Sequence, residues 1–178
     1  MIKDISAVLY DERQIQKRIK ELGENISKDY PQSCPVLLCI LKGASLFMAD
    51  LMRAITVHVE IDFMAISSYG DSTKSSGVVK IKKDVDVNLF DRDVIIVEDI
   101  VDSGLSLQYI KEYISKHNPK SVVSCVLLDK PSAHKVDSVI EYIGFEVGNE
   151  FVVGYGLDYA QKYRNLPFIG ILKEEVYS

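Results

Sequence analysis

The sequence has little with which to build a covalent or metal framework. Its 178 residues include three cysteines, Cys34, Cys39 and Cys125. The number is odd, and Cys39 and Cys125 lie in apolar runs, so they read as reduced core residues of a cytoplasmic protein and not as a disulfide scaffold. The three histidines, His58, His117 and His134, are far apart, and no cysteine–histidine spacing suits zinc. No apolar stretch is long enough for a signal peptide or a membrane span, and the first ten residues carry Lys3 and Asp4 instead. Internal repeats and low-complexity tails are also lacking. Positive charge is in deficit: 21 Lys and Arg stand against 26 Asp and Glu, a net charge of −5. That balance argues against a broad nucleic-acid-binding face. It leaves room for a small anion, which backbone amides and a bound cation can hold locally.

What is present is ordinary for one globular domain. The composition is 47% hydrophobic and 26% charged, and a chain of this length can bury a core without staples. Asp11 predicts a helix N-cap, because Ile15, Ile19, Leu22 and Ile26 then fall on one face. Pro35 opens a continuous apolar run over 36–40, which suits a strand covered on both sides. Lys42 and Gly43 follow in a loop, and Ser45 is placed to cap a helix through Ile55. Residues 57–65 alternate apolar and polar, the period of a strand. A polar Ser/Thr/Gly stretch over 67–77 precedes a short strand at 78–82. Residues 94–97 are the clearest buried strand, followed by a helix over 106–116 and strands at 122–128, 140–145 and 168–172. Strands alternating with helices predict an α/β fold with a mainly parallel central sheet flanked by helices.

Chemistry concentrates after the strand 94–97. Glu98 and Asp99 follow four β-branched residues, and Asp102-Ser103-Gly104-Leu105-Ser106 then turns into a helix. The amides and dipole at a helix start attract phosphate. Gly104 permits close backbone approach, and Ser103 and Ser106 add hydroxyls. Glu98 and Asp99 sit at the carboxyl end of a strand, where open α/β sheets bind ligands. Adjacent carboxylates there can accept hydrogen bonds from two sugar hydroxyls or help hold Mg²⁺. Asp102, opening the turn, can face the anomeric end of a ribose phosphate. Any one of these features alone would read as ordinary capping; it is their combination that points to a site.

The segment 94–106 resembles the 5-phosphoribosyl-1-diphosphate signature of the type I phosphoribosyltransferases. Other stretches resemble the hypoxanthine-guanine branch of that family, in its bacterial-type form, over nearly the whole chain. The resemblance implies that Glu98 and Asp99 contact the ribose hydroxyls and Mg²⁺, and that residues 102–106 hold the 5-phosphate. Asp102 would be the catalytic base. Lys42, Gly43 and Arg164 would bind pyrophosphate, and the peptide before Lys42 can be cis in such enzymes. Ser68 and Tyr69 would belong to a mobile loop over about 67–82. Lys130 would bond the 6-oxo group of the base, Phe151 would stack on it, and the Val152 backbone would read its edge. Asp158 would help a second Mg²⁺.

The core would run over about 30–145, and a small hood would combine the N-terminal segment with about 146–178. Ser103 and Ser106 stand where many members have Thr, which keeps the hydroxyl, and Gly148 stands where Pro is frequent. The activity implied joins hypoxanthine or guanine to 5-phosphoribosyl-1-diphosphate, giving IMP or GMP and pyrophosphate, in a cytoplasmic homodimer or homotetramer. The alternatives left open are a xanthine-preferring enzyme and a nucleotide-responsive RNA- or DNA-binding regulator of the same fold. The net charge and the absence of an added domain count against the regulator.

Overall fold

A computed structural model describes residues 1–68, 79–137 and 139–178. Nine strands and four helices occur among them, together with two short 3₁₀ turns. Tyr69 and the rest of 69–78 lie outside the described residues, as does the side chain of Ser68, the last residue of its strand. Of the mobile loop expected over about 67–82, residues 69–78 thus fall outside what the structure describes, while 67–68 end one strand and 79–82 belong to the next.

The main sheet has six strands: β2 (Val36–Leu41), β3 (Glu60–Ser68), β4 (Val79–Lys83), β5 (Asp93–Val101), β6 (Ser121–Asp129) and β7 (Tyr142–Glu146). Their order is β4-β3-β2-β5-β6-β7. All neighbours are parallel except β4, which runs antiparallel on one edge. From β2 the chain crosses to β3 on one side, whereas from β5 it crosses to β6 on the other. The strand order thus reverses between β2 and β5, and a crevice opens beyond their carboxyl ends.

Alternation along the central strands explains why both faces are covered. Leu37, Cys39, Ile95 and Val97 pack with helices α1 (Glu12–Asp29) and α2 (Ser45–Ala54). Their neighbours Val36, Leu38, Val94 and Ile96 pack instead with α3 (Leu105–Ser115). A strand buried on both sides must be apolar at every position, as 36–40 and 94–97 are.

The expected cap of α1 is present as a full capping box. Asp11 Oδ1 accepts from the Gln14 amide at 2.8 Å, and the Asp11 amide donates to Gln14 Oε1 at 2.9 Å. Ile15, Ile19, Leu22 and Ile26 are at most 1% exposed, and burying each such side chain contributes about 1.5–3 kcal/mol. Helix α2 departs from expectation. Its N-cap is Ala44, in helical conformation and with no side-chain cap bond. The Ser45 amide already donates to the Lys42 carbonyl, which places Ser45 inside the first turn, past the position where a hydroxyl can cap.

Helices α1 and α2 meet at Gly23. A Cβ there would lie 2.6–2.7 Å from the backbone and Cβ of Ala54. Gly23→Ala is therefore expected to destabilise by about 1–3 kcal/mol through overpacking, despite alanine's better helix propensity. Calorimetry showing an unchanged or raised Tm would refute that close contact.

A second sheet of three strands forms from both chain ends: β1 (Ile5–Tyr10), β9 (Ile169–Leu172) and β8 (Val152–Val153), in the order β1-β9-β8 and antiparallel. A last short helix, α4 (Glu174–Tyr177), follows β9. Strand β8 brings the 150–164 segment over the crevice of the main sheet, where its residues share a cavity with those following β5.

Candidate active site

Strand parity sets the geometry at the end of β5. Because 94 and 96 face α3 while 95 and 97 face α1 and α2, Glu98 and Asp99 point to opposite sides of the sheet. Glu98 borders a cavity of about 110 Å³ formed with Ile100, the turn 101–104, Ser106 and Leu107. Asp99 borders a different cavity of about 220 Å³, shared with Ile100, Asp102, Lys130, Phe151, Val152, Leu157 and Asp158. The two acids, adjacent in sequence, thus open into separate spaces. Asp102 and Ile100 line both cavities, and the Asp102 side chain is exposed to them.

The phosphate-type turn has the expected construction. Gly104 is the N-cap of α3 and takes a left-handed φ of 78°, which glycine adopts without penalty. The N-cap residue makes no side-chain cap bond, and the first-turn amides of an α-helix have no partner within the helix itself. Ser103 and Ser106 line the same cavity.

Glu98 Oε2 is buried without a hydrogen-bond partner among the described residues. Burial, and next the negative charge of Asp99, push the Glu98 carboxyl up to about 8. A carboxyl raised in the folded state stabilises it fully below the unfolded value near 4.5, and that contribution is lost as pH rises through about 8. The ligand-free protein should therefore lose thermal stability from about pH 5 to pH 8, and Glu98→Gln, neutral and of the same size, should flatten that loss. Parallel Tm-versus-pH curves for the two proteins would exclude Glu98 as its source.

On the other side of the sheet, Asp99 lies against the loop after β2. A Cβ on Gly43 would fall 1.5 Å from Asp99 Oδ2, so only glycine lets the carboxylate sit there. The Leu41–Lys42 peptide is cis. Gly43 also meets the 150–164 segment, because a Cβ on Gly156 would lie 2.1 Å from the Gly43 carbonyl oxygen. Burial raises the Asp99 carboxyl. Its own amide and that of Ile100 oppose the rise by hydrogen bonding, the Arg164 charge opposes it further, and Asp158 adds to it.

Arg164 is fixed by three contacts. It pairs with Asp158 at 2.8 Å, donates to the Gly156 carbonyl at 2.7 Å and reaches Gln161 Oε1 at 3.2 Å. Lys42 Nζ donates to the same Gln161 oxygen at 3.4 Å. Lys42, Gly43 and Arg164, far apart in sequence, are thus gathered at one mouth of the crevice. Gln161 joins them without any sequence signal; it lies in an irregular turn at φ 63°.

Lys130 follows β6 and donates to the Glu150 carbonyl at 3.0 Å. That bond holds the ammonium at the edge of the 220 Å³ cavity with donors to spare. Phe151 and the buried Val152 line the same space, opposite Leu157. Sequence reasoning did not single out Leu157, because an apolar side chain in a turn carries no signal of its own.

Among the described residues no group of three or more His, Cys, Asp or Glu side chains could hold a metal ion by itself. The donors at this end of the sheet are carboxylate oxygens, and Asp99 and Asp158 are close enough to repel one another. Such a set fits Mg²⁺, which takes one or two carboxylates and completes its octahedron with phosphate oxygens and water.

Comparison with known proteins identifies the family. Residues 7–160 match the family model of the phosphoribosyl transferase domain. The chain is 52% identical over 177 residues to the hypoxanthine-guanine phosphoribosyltransferase of Bacillus subtilis (strain 168), covering 99% of this chain and 98% of that one. It is 49% identical over 176 residues, with the same two coverages, to the enzyme of that name from Streptococcus thermophilus (strain CNRZ 1066). A crystal structure of a hypoxanthine phosphoribosyltransferase from Staphylococcus aureus matches with a TM-score of 0.97 at 46% identity, over 100% of this chain and 97% of that one.

Proposed function

The chain belongs to the phosphoribosyltransferase family, among the hypoxanthine-guanine phosphoribosyltransferases, and we infer that it joins hypoxanthine or guanine to 5-phosphoribosyl-1-diphosphate, giving IMP or GMP and pyrophosphate. The observation that carries this reading is the place of Asp102, which borders both the phosphate-turn cavity and the cavity of Lys130 and Phe151. A ribose 5-phosphate seated in the first cavity presents its anomeric carbon toward a base in the second.

In this reading the turn 102–106 binds the 5-phosphate through amides and hydroxyls. Sugar hydroxyls donate to Glu98, whose Oε2 has no partner among the described residues, and to Asp99. Lys130 donates to the 6-oxo group, which selects against adenine, whose 6-amino group is itself a donor. Phe151 stacks on the purine face, and the Val152 backbone reads the edge. As the bond from the anomeric carbon to pyrophosphate breaks, the imidazole nitrogen bonds to that carbon and its proton passes to Asp102. Arg164, Lys42 and the Gly43 amide take the charge of the departing pyrophosphate. Asp99, Asp158 and, through the sugar, Glu98 are the residues that would hold Mg²⁺, which when bound supplies further charge neutralisation on the diphosphate. Ser68 and Tyr69 would close over the reacting atoms and exclude water. The protein would act in the cytoplasm, consistent with three free cysteines, and as a homodimer or homotetramer, for which exposed Leu46, Ile61 and Phe90 offer apolar surface.

Pyrophosphate release tests the reading, with 5-phosphoribosyl-1-diphosphate, Mg²⁺ and each of hypoxanthine, guanine, xanthine, adenine and uracil. Release with hypoxanthine or guanine is expected. Release with adenine or uracil alone would overturn the roles of Lys130 and Phe151, and release with xanthine alone would make the enzyme a xanthine transferase.

A further inference from the structure

Phe151 borders two cavities. One is the 220 Å³ space it shares with Asp102, Lys130 and Leu157. The other, about 560 Å³, lies outside it and is lined by Ser6, Lys173, Glu174 and Tyr177 among others. Tyr177 lines only the outer one. Its ring stacks on Phe151 with centroids 4.9 Å apart and planes inclined by 25°. Tyr159 meets Phe151 edge-on at 5.6 Å and 90°.

A phenyl ring offers two faces and a rim. In this structure Tyr177 covers one face from the outer cavity, Tyr159 stands perpendicular to the ring, and Phe151 also borders the inner cavity, where a flat ligand would take the other face. We propose that Tyr177 is a positioning residue for the purine: it fixes the ring plane of Phe151 so that the stacking surface is set before the base arrives. The proposal rests on the functional reading above.

The backbone keeps Tyr177 in place. The Leu172 amide, at the end of β9, donates to the carbonyl of Phe151 itself at 2.8 Å. The next amide, Lys173, donates to the Asp4 carbonyl at 3.0 Å, and α4 starts directly after it. The base platform and its backing ring therefore hang from the same pair of strands. Tyr177 also packs with Val153, Tyr163, Leu166 and Leu172, a small cluster apart from the two cores of the main sheet. Phe151 is 36% exposed even with this support. Without it, the ring would gain rotamer freedom that binding would have to remove.

The effect should appear in base affinity and little elsewhere. Tyr177→Ala is expected to raise the KM for hypoxanthine and guanine about 3- to 10-fold, the loss expected for a stacked aromatic partner. The KM for 5-phosphoribosyl-1-diphosphate should not change, and kcat should stay within about twofold, since neither the phosphate turn nor Asp102 touches Tyr177. Tyr177→Phe, which keeps the ring and loses the hydroxyl, should behave as wild type, whereas Tyr177→Leu should resemble the alanine variant. Sedimentation and thermal melts on each variant separate this from a change of assembly or folding. An unchanged KM for the base in Tyr177→Ala, an equal rise in both KM values, a full rescue by leucine, or a rise that accompanies altered assembly would each overturn the proposal while wild-type activity left the functional reading intact. A wild-type protein inactive with every 6-oxopurine would overturn both.

Discussion

Asp102→Asn is expected to lower turnover by about 10²–10⁴-fold, the contribution of a positioned base, with the fold and the affinity for 5-phosphoribosyl-1-diphosphate largely kept. The substitution keeps the shape of the side chain but removes its ability to accept a proton. Asp102 is well placed for that work and poorly placed for any structural one. Its side chain is exposed, and it borders both cavities. The neighbouring acids differ in this respect. Glu98 is buried and faces only the phosphate turn, and Asp99 is packed under Gly43 on the opposite side of the sheet. Of the three carboxylates, Asp102 alone stands where a purine nitrogen and an anomeric carbon would meet. Steady-state kinetics with saturating diphosphate separates the outcomes. A variant with near-normal kcat would take Asp102 out of proton transfer and leave it as a wall of the site. A loss confined to the KM for the diphosphate would move it into phosphate binding.

The parts of this site that were legible in the sequence are those in which one local requirement fixes the residue type. Four β-branched residues at 94–97 read as a strand buried on both faces, and Asp102-Ser103-Gly104 at a helix start reads as a tight polar turn. The apolar period of α1 and its Asp11 cap were readable for the same reason. The adjacency of Glu98 and Asp99 is legible as two acids at a strand end, but their directions are not: the two-residue period of β5 turns them to opposite faces, and Asp99 lies against a loop from elsewhere in the chain. Strand β3 was expected from residue 57 and begins at Glu60, where pairing with Val36 of β2 starts; alternation reports a strand-like surface, but only the partner fixes its end. Strands β1 and β8 gave no clear period. One is irregular in register and the other has two residues, and both exist because β9 lies between them. Gln161 and Tyr177 were invisible for a related reason: each matters through a contact with a residue distant in sequence.

The same logic identifies a residue whose importance is entirely a matter of tertiary contact. Gly156→Ala is expected to lower kcat/KM for 5-phosphoribosyl-1-diphosphate by about 10²-fold, the scale of an ångström-sized misplacement of binding groups. Two independent penalties meet there. The backbone has φ +101°, a conformation that side chains rarely adopt, and forcing one into it costs about 1–3 kcal/mol. The new Cβ would also lie 2.1 Å from the Gly43 carbonyl oxygen, an atom of the main chain that cannot rotate away. Relief requires the Lys42–Gly43 loop and the 150–164 segment to part. Parting them moves both cationic groups of the pyrophosphate mouth, because Arg164 donates to the Gly156 carbonyl and Lys42 reaches Arg164 through Gln161. It also lifts Gly43 off the Asp99 carboxylate. The base cavity is affected less, since Lys130 is anchored to Glu150, on the far side of β8 from the displaced turn. The KM for the diphosphate should therefore rise more than the KM for hypoxanthine. Equal losses for both substrates would point to general unfolding of the 150–164 segment, and a kcat/KM within about threefold of wild type would show that the two loops separate without cost, against the rigidity that such close packing implies.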